Sequence, residues 1–322
     1  MIEGLAPDSP LPAYARRIDI GGGALRRAWL HGWLRLAVKH VRIVDVDIAR
    51  LRAINLRWDA RLKRPDPGVR LTPTDAGGVA AHWLEVPESR PQRVLLYLHG
   101  GAFIFRFPAV HASLVARLCR RLGARALMVD YRLAPEAPYP AAPDDCHAAF
   151  RWLLAGGHRA ADIVVAGDSA GGNLALVTLQ RILAASEPLP ACGVLISPVV
   201  DFTLSSRSLV VNEPTDPMFT LRGLVAMRAL YAPAERYLDP GVSPLYGPFR
   251  GLPPLLLQAG SAEMLLDEAT RAAERAHAAG VTVELEIWQR MAHVFHAMAL
   301  PQAGVALDHV ADFVRRHAVG WR

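Results

Sequence analysis

The sequence predicts an α/β fold: a mostly parallel central sheet with helices on both faces. Three observations carry that expectation. Beyond residue 68, short aliphatic and β-branched runs alternate with longer Ala/Leu-rich periodic segments. One such run, Ile163-Val164-Val165-Ala166, ends in Gly167-Asp168-Ser169-Ala170-Gly171 and leads into the helical stretch Leu174-Ala175-Leu176-Val177. An earlier run, Arg93-Val94-Leu95-Leu96-Tyr97-Leu98, ends in His99-Gly100-Gly101-Ala102-Phe103.

In chain order, residues 24–63 read as helical, rich in Arg, Leu and Ala, with Trp29, Trp33 and Trp58 on apolar faces. Pro65-Asp66-Pro67-Gly68 breaks this region. Strands are then expected around Ala81-His82-Trp83-Leu84, Leu95-Leu96-Tyr97, Ala126-Leu127-Met128-Val129, Val164-Val165, Val194-Leu195-Ile196, Leu255-Leu256-Leu257 and Val283-Glu284-Leu285-Glu286-Ile287. Helices are expected near residues 110–122, 141–155, 171–186, 268–279 and 303–317. Residues 202–250 interrupt the alternation with Pro214, Pro217, Pro233, Pro240, Pro244 and Pro248, and hold one helix over 220–231. This divides the chain into an N-terminal helical region (1–68), a core (69–201 and 251–322) and an insertion (202–250).

At 322 residues the chain suffices for one large domain, or a core with a subdomain. Its 52% hydrophobic and 20% charged content argues for a globular fold and against disorder. The net charge of +6 comes from scattered Arg rather than a basic block interleaved with aromatics, so nucleic-acid binding is not expected. Cys119, Cys146 and Cys192 are odd in number and lack metal-ligand spacing, which argues against a disulfide scaffold and for a reducing cytoplasm. Met1-Ile2-Glu3-Gly4-Leu5-Ala6-Pro7-Asp8 lacks the basic start and apolar stretch of a signal peptide. No apolar run approaches the roughly 20 residues needed to span a bilayer. No metal or cofactor is expected, because no His/Cys/Asp cluster and no G-x-G-x-x-G after a strand is present.

G-x-S-x-G at a strand-to-helix turn exposes a serine on strained backbone. Ser169 is therefore the candidate nucleophile. Acyl transfer needs preorganised donors where negative charge develops. A glycine-rich loop after a strand can aim successive N–H groups at one point, which nominates Gly100, Gly101 and Ala102, together with the N–H of Ala170. Serine needs a base to take its proton. Chain order places that base late, and His293 and His296 both follow the strand ending at Trp288. The orienting acid is sought after Leu255-Leu256-Leu257-Gln258, where Glu263 and Asp267 compete. Asp168, Asp144 and Asp145 read as buried acceptors that pin the elbow and the Tyr131-Arg132 loop. His99 reads as a residue that holds the oxyanion loop in shape, and Asp216-Pro217 as a turn.

The blocks His99-Gly100-Gly101-Ala102-Phe103, Tyr131-Arg132-Leu133-Ala134-Pro135-Glu136, Gly167 to Asn173, and Met291-Ala292-His293-Val294-Phe295-His296 resemble the bacterial hormone-sensitive-lipase-like (family IV) esterases of the α/β-hydrolase fold. The similarity spans about residues 70 to 317. It implies Ser169, Glu263 and His293 as the triad, with Asp267 starting a helix, and no cofactor. It also implies that residues 202–250 join the N-terminal helices in a helical cap. The other readings of those helices are peripheral core helices, a homodimer contact or a face lying on a membrane surface. The implied activity is hydrolysis of short-chain acyl esters of small molecules through an acyl-enzyme. The same machinery would also serve a deacetylase, amidase or lactonase, and a non-catalytic receptor on this fold is the reading of another class. Ala102 departs from the family's usual Gly; with φ negative the loop would be undisturbed, and the methyl would narrow the acyl site. Position beside the motifs nominates Phe103, Phe105, Met218 and Phe219 as the pocket.

Overall fold

The computed structural model describes residues 10–39, 47–62 and 68–321. The first eight residues and the Pro65-Asp66-Pro67 break lie outside them. Among the described residues, nine strands form one sheet: β1 (Ala15–Ile18), β2 (Arg70–Asp75), β3 (Ala80–Glu85), β4 (Arg90–Leu98), β5 (Ala124–Val129), β6 (Ile163–Asp168), β7 (Cys192–Ile196), β8 (Leu255–Gly260) and β9 (Val283–Trp288). Their order is β1-β9-β8-β7-β6-β4-β5-β3-β2. Only β2–β3 and β3–β5 pair antiparallel; the rest of the sheet is parallel.

The helices are α1 (Ala24–Leu34), α2 (Ile48–Leu62), α3 (Pro108–Leu122), α4 (Ala141–Ala155), α5 (Ala170–Ala184), α6 (Ser208–Val211), α7 (Leu221–Tyr231), α8 (Leu266–Ala278) and α9 (Pro301–His317). Helices α3, α4, α5, α8 and α9 cover the two faces of the sheet because side chains alternate along each parallel strand. Leu95, Tyr97, Val164, Val194 and Leu256 face one way and pack with Leu114 and Leu118 of α3 and Val310 and Phe313 of α9. Leu96, Leu98, Val165, Leu195 and Leu257 face the other way, onto Phe150 of α4, Leu174 and Leu179 of α5 and Ala276 of α8.

Two edge strands depart from the expected pattern. β1 (ARRI) and β2 (RLTPTD) have little apolar alternation, and β2 is almost wholly exposed. An edge strand needs only one paired side and tolerates Pro73, so its residues carry no burial signal. The region before residue 68 is thus not purely helical.

Two of the three Trp residues of that region also depart from expectation, while Trp33 is half-buried. Trp29 is 67% and Trp58 53% exposed, so neither anchors its helix. Leu34 and Leu51 are the buried side chains instead. Polar contacts do the remaining anchoring. Arg35 Nη2 donates to Pro214 O at 2.9 Å and Lys39 Nζ to Asp216 O at 2.7 Å. Arg52 Nε donates to Ile104 O at 2.7 Å. The buried Asp59 accepts from Ala109 N at 2.7 Å and Val110 N at 2.9 Å. It thereby caps α3, whose own preceding residue is Phe107. Cys119, Cys146 and Cys192 are free and buried. Among the described residues, no helix is long and apolar enough to cross a membrane.

Candidate active site

Parallel strands deliver their following loops to one edge of the sheet. The register pairs Leu98 with Gly167, Asp168 with Ile196, Ile196 with Gln258, and Gly260 with Trp288. The loops after β4, β6, β7, β8 and β9 therefore converge, and Ser169, Glu263 and His293 lie on three of them.

Ser169 sits between β6 and α5 at φ 54°, ψ −118°. Such angles persist only when the surroundings over-determine them. The flanking glycines supply that constraint. A Cβ on Gly167 would stand 2.2 Å from Gly171 O. Asp168, beside the nucleophile, points back into the core, where Oδ1 accepts from Tyr97 Oη at 2.7 Å and Gly100 N at 3.0 Å. Its Oδ2 lies 3.3 Å from His111 Nε2. Burial opposes its charge, but the His111 imidazole and these hydrogen bonds hold the carboxyl down at about 2. Asp168 thus ties the elbow to the oxyanion loop as an ionised acceptor.

That tie removes Gly100 from the expected oxyanion donors, because its N–H is engaged by Asp168. Among the described residues, no hydrogen bond takes the N–H of Gly101 or Ala102. Ala170 opens α5, where first-turn N–H groups have no intrahelical acceptor. Gly101 has φ 127°, and its carbonyl accepts from Ile104 N at 3.0 Å and Phe105 N at 2.8 Å. Ala102 has φ 56° and Phe103 φ 62°. The negative φ considered for Ala102 is not observed. Its methyl is carried in the left-handed region, at a cost of roughly 1–2 kcal/mol.

His99 Nδ1 lies 2.7 Å from Gly100 O, and its ring stacks on Tyr131 at 4.2 Å. Burial, and then His111, push its pKa down to about 3, so it stays neutral and serves as a strut for the loop. Asp145 accepts from Arg132 N at 2.8 Å and from its guanidinium at 2.7 Å, pinning the loop after β5. Asp144 does not share that task; it pairs with Arg181 of α5 at 2.7 Å.

Glu263 and His293 are both buried, with Oε2 2.6 Å from Nδ1. The other oxygen of Glu263 accepts from Ser197 Oγ at 3.0 Å and Gly260 N at 2.5 Å. Ser197 Oγ in turn accepts from Val294 N at 3.2 Å, so one hydroxyl braces both Glu263 and the loop that carries His293. Sequence reasoning missed Ser197; its signal is a polar residue directly after the apolar run Val194-Leu195-Ile196. The two loops touch at Gly260, where a Cβ would lie 2.2 Å from Met291 O.

The competing residues are occupied elsewhere. Asp267 accepts from Ser208 N at 2.8 Å, joining α6 to the start of α8. His296 Nε2 lies 2.9 Å from Gln258 Oε1, and burial pushes its pKa down to about 3. Asp216 closes a turn by accepting from Met218 N at 2.7 Å and Phe219 N at 3.0 Å. Among the described residues, no group of three or more His, Cys, Asp or Glu side chains could hold a metal ion.

Ser169 opens onto a cavity of about 50 Å³. Ala102, Phe103 and Phe219 line it, with Phe202, Leu224, Leu265 and Arg228. Phe105 and Met218 are not on its wall. Phe105 is buried in the core beneath the oxyanion loop, and Met218 is held in the Asp216 turn. Apart from Leu265, which follows β8, the lining residues missed from sequence come from the segment between β7 and β8, which carries no motif. Phe219 connects the cavity to the base, its ring meeting that of His293 edge-on at 4.8 Å. Among the described residues, no hydrogen bond joins Ser169 to His293. Such bonds often tighten only when substrate is bound.

Residues 95–297 match a family model described as the alpha/beta hydrolase fold. The chain is 36% identical over 262 residues to an "Esterase" of Acinetobacter venetianus, covering 79% of this chain and 84% of that protein. It is 37% identical over 267 residues to the "Carboxylesterase/phospholipase LipF" of Mycobacterium tuberculosis, covering 79% and 71% respectively. A crystal structure of an esterase from the bacterial hormone-sensitive lipase family superposes with TM-score 0.87 at 35% identity, covering 92% of this chain and all (100%) of that one. A strained serine elbow, a buried carboxylate–imidazole pair and this topology are together the features of an α/β-hydrolase. The chain belongs to the α/β-hydrolase fold family and, within it, to the bacterial hormone-sensitive-lipase-like esterases, which are carboxylic ester hydrolases.

Proposed function

We propose that the protein hydrolyses short-chain acyl esters of small molecules through an acyl-enzyme on Ser169. The observation that carries this reading is the buried 2.6 Å contact between Glu263 and His293, on loops adjacent to the strained Ser169 elbow. Glu263 holds the imidazole through Nδ1 and leaves Nε2 to take the serine proton. Ser169 Oγ then attacks the ester carbonyl, and the oxyanion is received by the N–H groups of Gly101, Ala102 and Ala170. As the tetrahedral intermediate collapses, His293 returns the proton to the departing alcohol. Water, deprotonated by the same imidazole, attacks the acyl-enzyme, and its collapse restores Ser169 and releases the acid.

We assign α1 and α2, together with residues 202–250, to a cap over the core, while β1 belongs to the core sheet through its pairing with β9. The contacts from Arg35 and Lys39 to Pro214 and Asp216 support a single capping unit. The narrow cavity supports a short acyl group, and three free, buried cysteines support a cytoplasmic location.

The test is Ser169→Ala. Loss of p-nitrophenyl acetate turnover and of organophosphonate labelling, with an unchanged circular dichroism spectrum, is the expected result. Full turnover by that variant would falsify the mechanism.

A further inference from the structure

Among the described residues, the wall of the nucleophile's cavity is apolar apart from Ser169 itself and Arg228. Arg228 lies in the last turn of α7. One guanidinium nitrogen, Nη1, donates to Phe202 O at 2.6 Å. The face of the group is covered by Tyr237, whose ring centroid is 4.4 Å from Cζ. Its Nε is buried with no hydrogen-bond partner. Among the described residues, Arg228 enters no ion pair.

A guanidinium in this setting is poorly satisfied. Among the described residues no carboxylate opposes its charge, its Nε is withdrawn from water, and the carbonyl of Phe202 is its one hydrogen-bond acceptor. Arg228 is not explained as a strut, because a strut requires only the Phe202 bond and leaves the unpaired charge and orphan N–H beside the nucleophile unaccounted for. An acceptor brought by the substrate would answer both. Carboxylate is the fitting class, since it carries the opposite charge and accepts from a guanidinium in charge-assisted bonds.

We infer that Arg228 is a specificity-determining residue, selecting esters that carry a carboxylate a few atoms from the scissile carbonyl. This rests on the esterase reading above and names a substrate class within it. Arg228 and Ser169 line the same cavity, so the carboxylate and the scissile carbonyl belong to one small molecule seated there. The carboxylate could belong to the acyl half of the ester or to the alcohol half, and the test separates them.

The experiment compares kcat/KM within two isosteric pairs. Ethyl hemisuccinate against ethyl 4-methylpentanoate places the charge in the acyl half. Acetoxyacetate against isobutyl acetate places it in the alcohol half. In the parent enzyme the anionic member of one pair is favoured, and the favoured pair identifies the half that reaches Arg228. Arg228→Met lowers that anionic-to-neutral ratio by about tenfold or more, while Arg228→Lys, which keeps charge without the planar fork, lowers it less. Added salt lowers the ratio in the parent enzyme but not in Arg228→Met. Using ratios cancels any general loss caused by the substitution. Turnover of the neutral esters with a ratio that Arg228→Met leaves unchanged in both pairs overturns this inference alone. Failure of the parent enzyme to hydrolyse any of the four esters overturns the esterase reading with it.

Discussion

Gly171 lies so close to Leu98 that a Cβ at that glycine would stand 1.9 Å from the Leu98 carbonyl oxygen. The end of β4 and the first turn of α5 are in backbone contact, and that contact holds Ser169 on its strained turn beside the oxyanion loop. Gly171→Ala should therefore move the elbow or the loop rather than merely lose a contact. We expect a fall in melting temperature together with loss of ester turnover. A variant with parental stability and activity would show that the two segments separate at little cost.

The acid is assigned by a ranking of two carboxylates. Glu263→Gln should lower kcat by about 10³–10⁴-fold, because the amide no longer orients and stabilises the imidazole. Asp267→Asn takes the charge from an acceptor of the Ser208 N–H and should act mainly on stability. Steady-state kinetics and thermal melts on both variants decide the matter; the opposite ranking moves the acid to Asp267.

Ala102 is a strained alanine on the cavity wall. Ala102→Gly should relieve roughly 1 kcal/mol of left-handed strain and raise the melting temperature. With p-nitrophenyl esters, kcat/KM in the parent enzyme should peak between acetate and hexanoate. The glycine variant should shift that optimum to longer chains as the wall recedes. Identical chain-length profiles would place the methyl outside the acyl path.

His296 gives a pH dependence with a defined sign. It is neutral and buried when folded, with its pKa pushed down to about 3, whereas an unfolded histidine titrates near about 6.5. Between those values the unfolded chain binds the extra proton, so stability is full above about 6.5 and is lost progressively as pH falls toward 3. The loss due to this residue reaches about 2 kcal/mol at pH 5. Denaturant melts of the parent and His296→Gln at pH 7 and pH 5 should show a flatter dependence in the variant. Equal slopes would mean that His296 takes up its proton without unfolding.

The local chemistry was legible in the chain itself. The buried parallel strands, the helices between them and the G-x-S-x-G turn are short-range patterns, because burial on both faces writes continuous apolar runs and a strained turn demands small residues. α4 spans Ala141–Ala155 and α7 Leu221–Tyr231, within a residue of their sequence-based limits. Edge strands β1 and β2 left no such trace, since one open side relaxes the demand for apolar residues. Only the tertiary structure could bring Glu263 within 2.6 Å of His293, set Ser197 between their loops, take the Gly100 N–H for Asp168 and turn Ala102 to positive φ. The same holds for Arg228 on the cavity wall and for Asp59 as the cap of α3. Each depends on which strand ends become neighbours and how closely two backbones approach. Those distances arise from the packing of the whole sheet, and no local stretch of sequence encodes them.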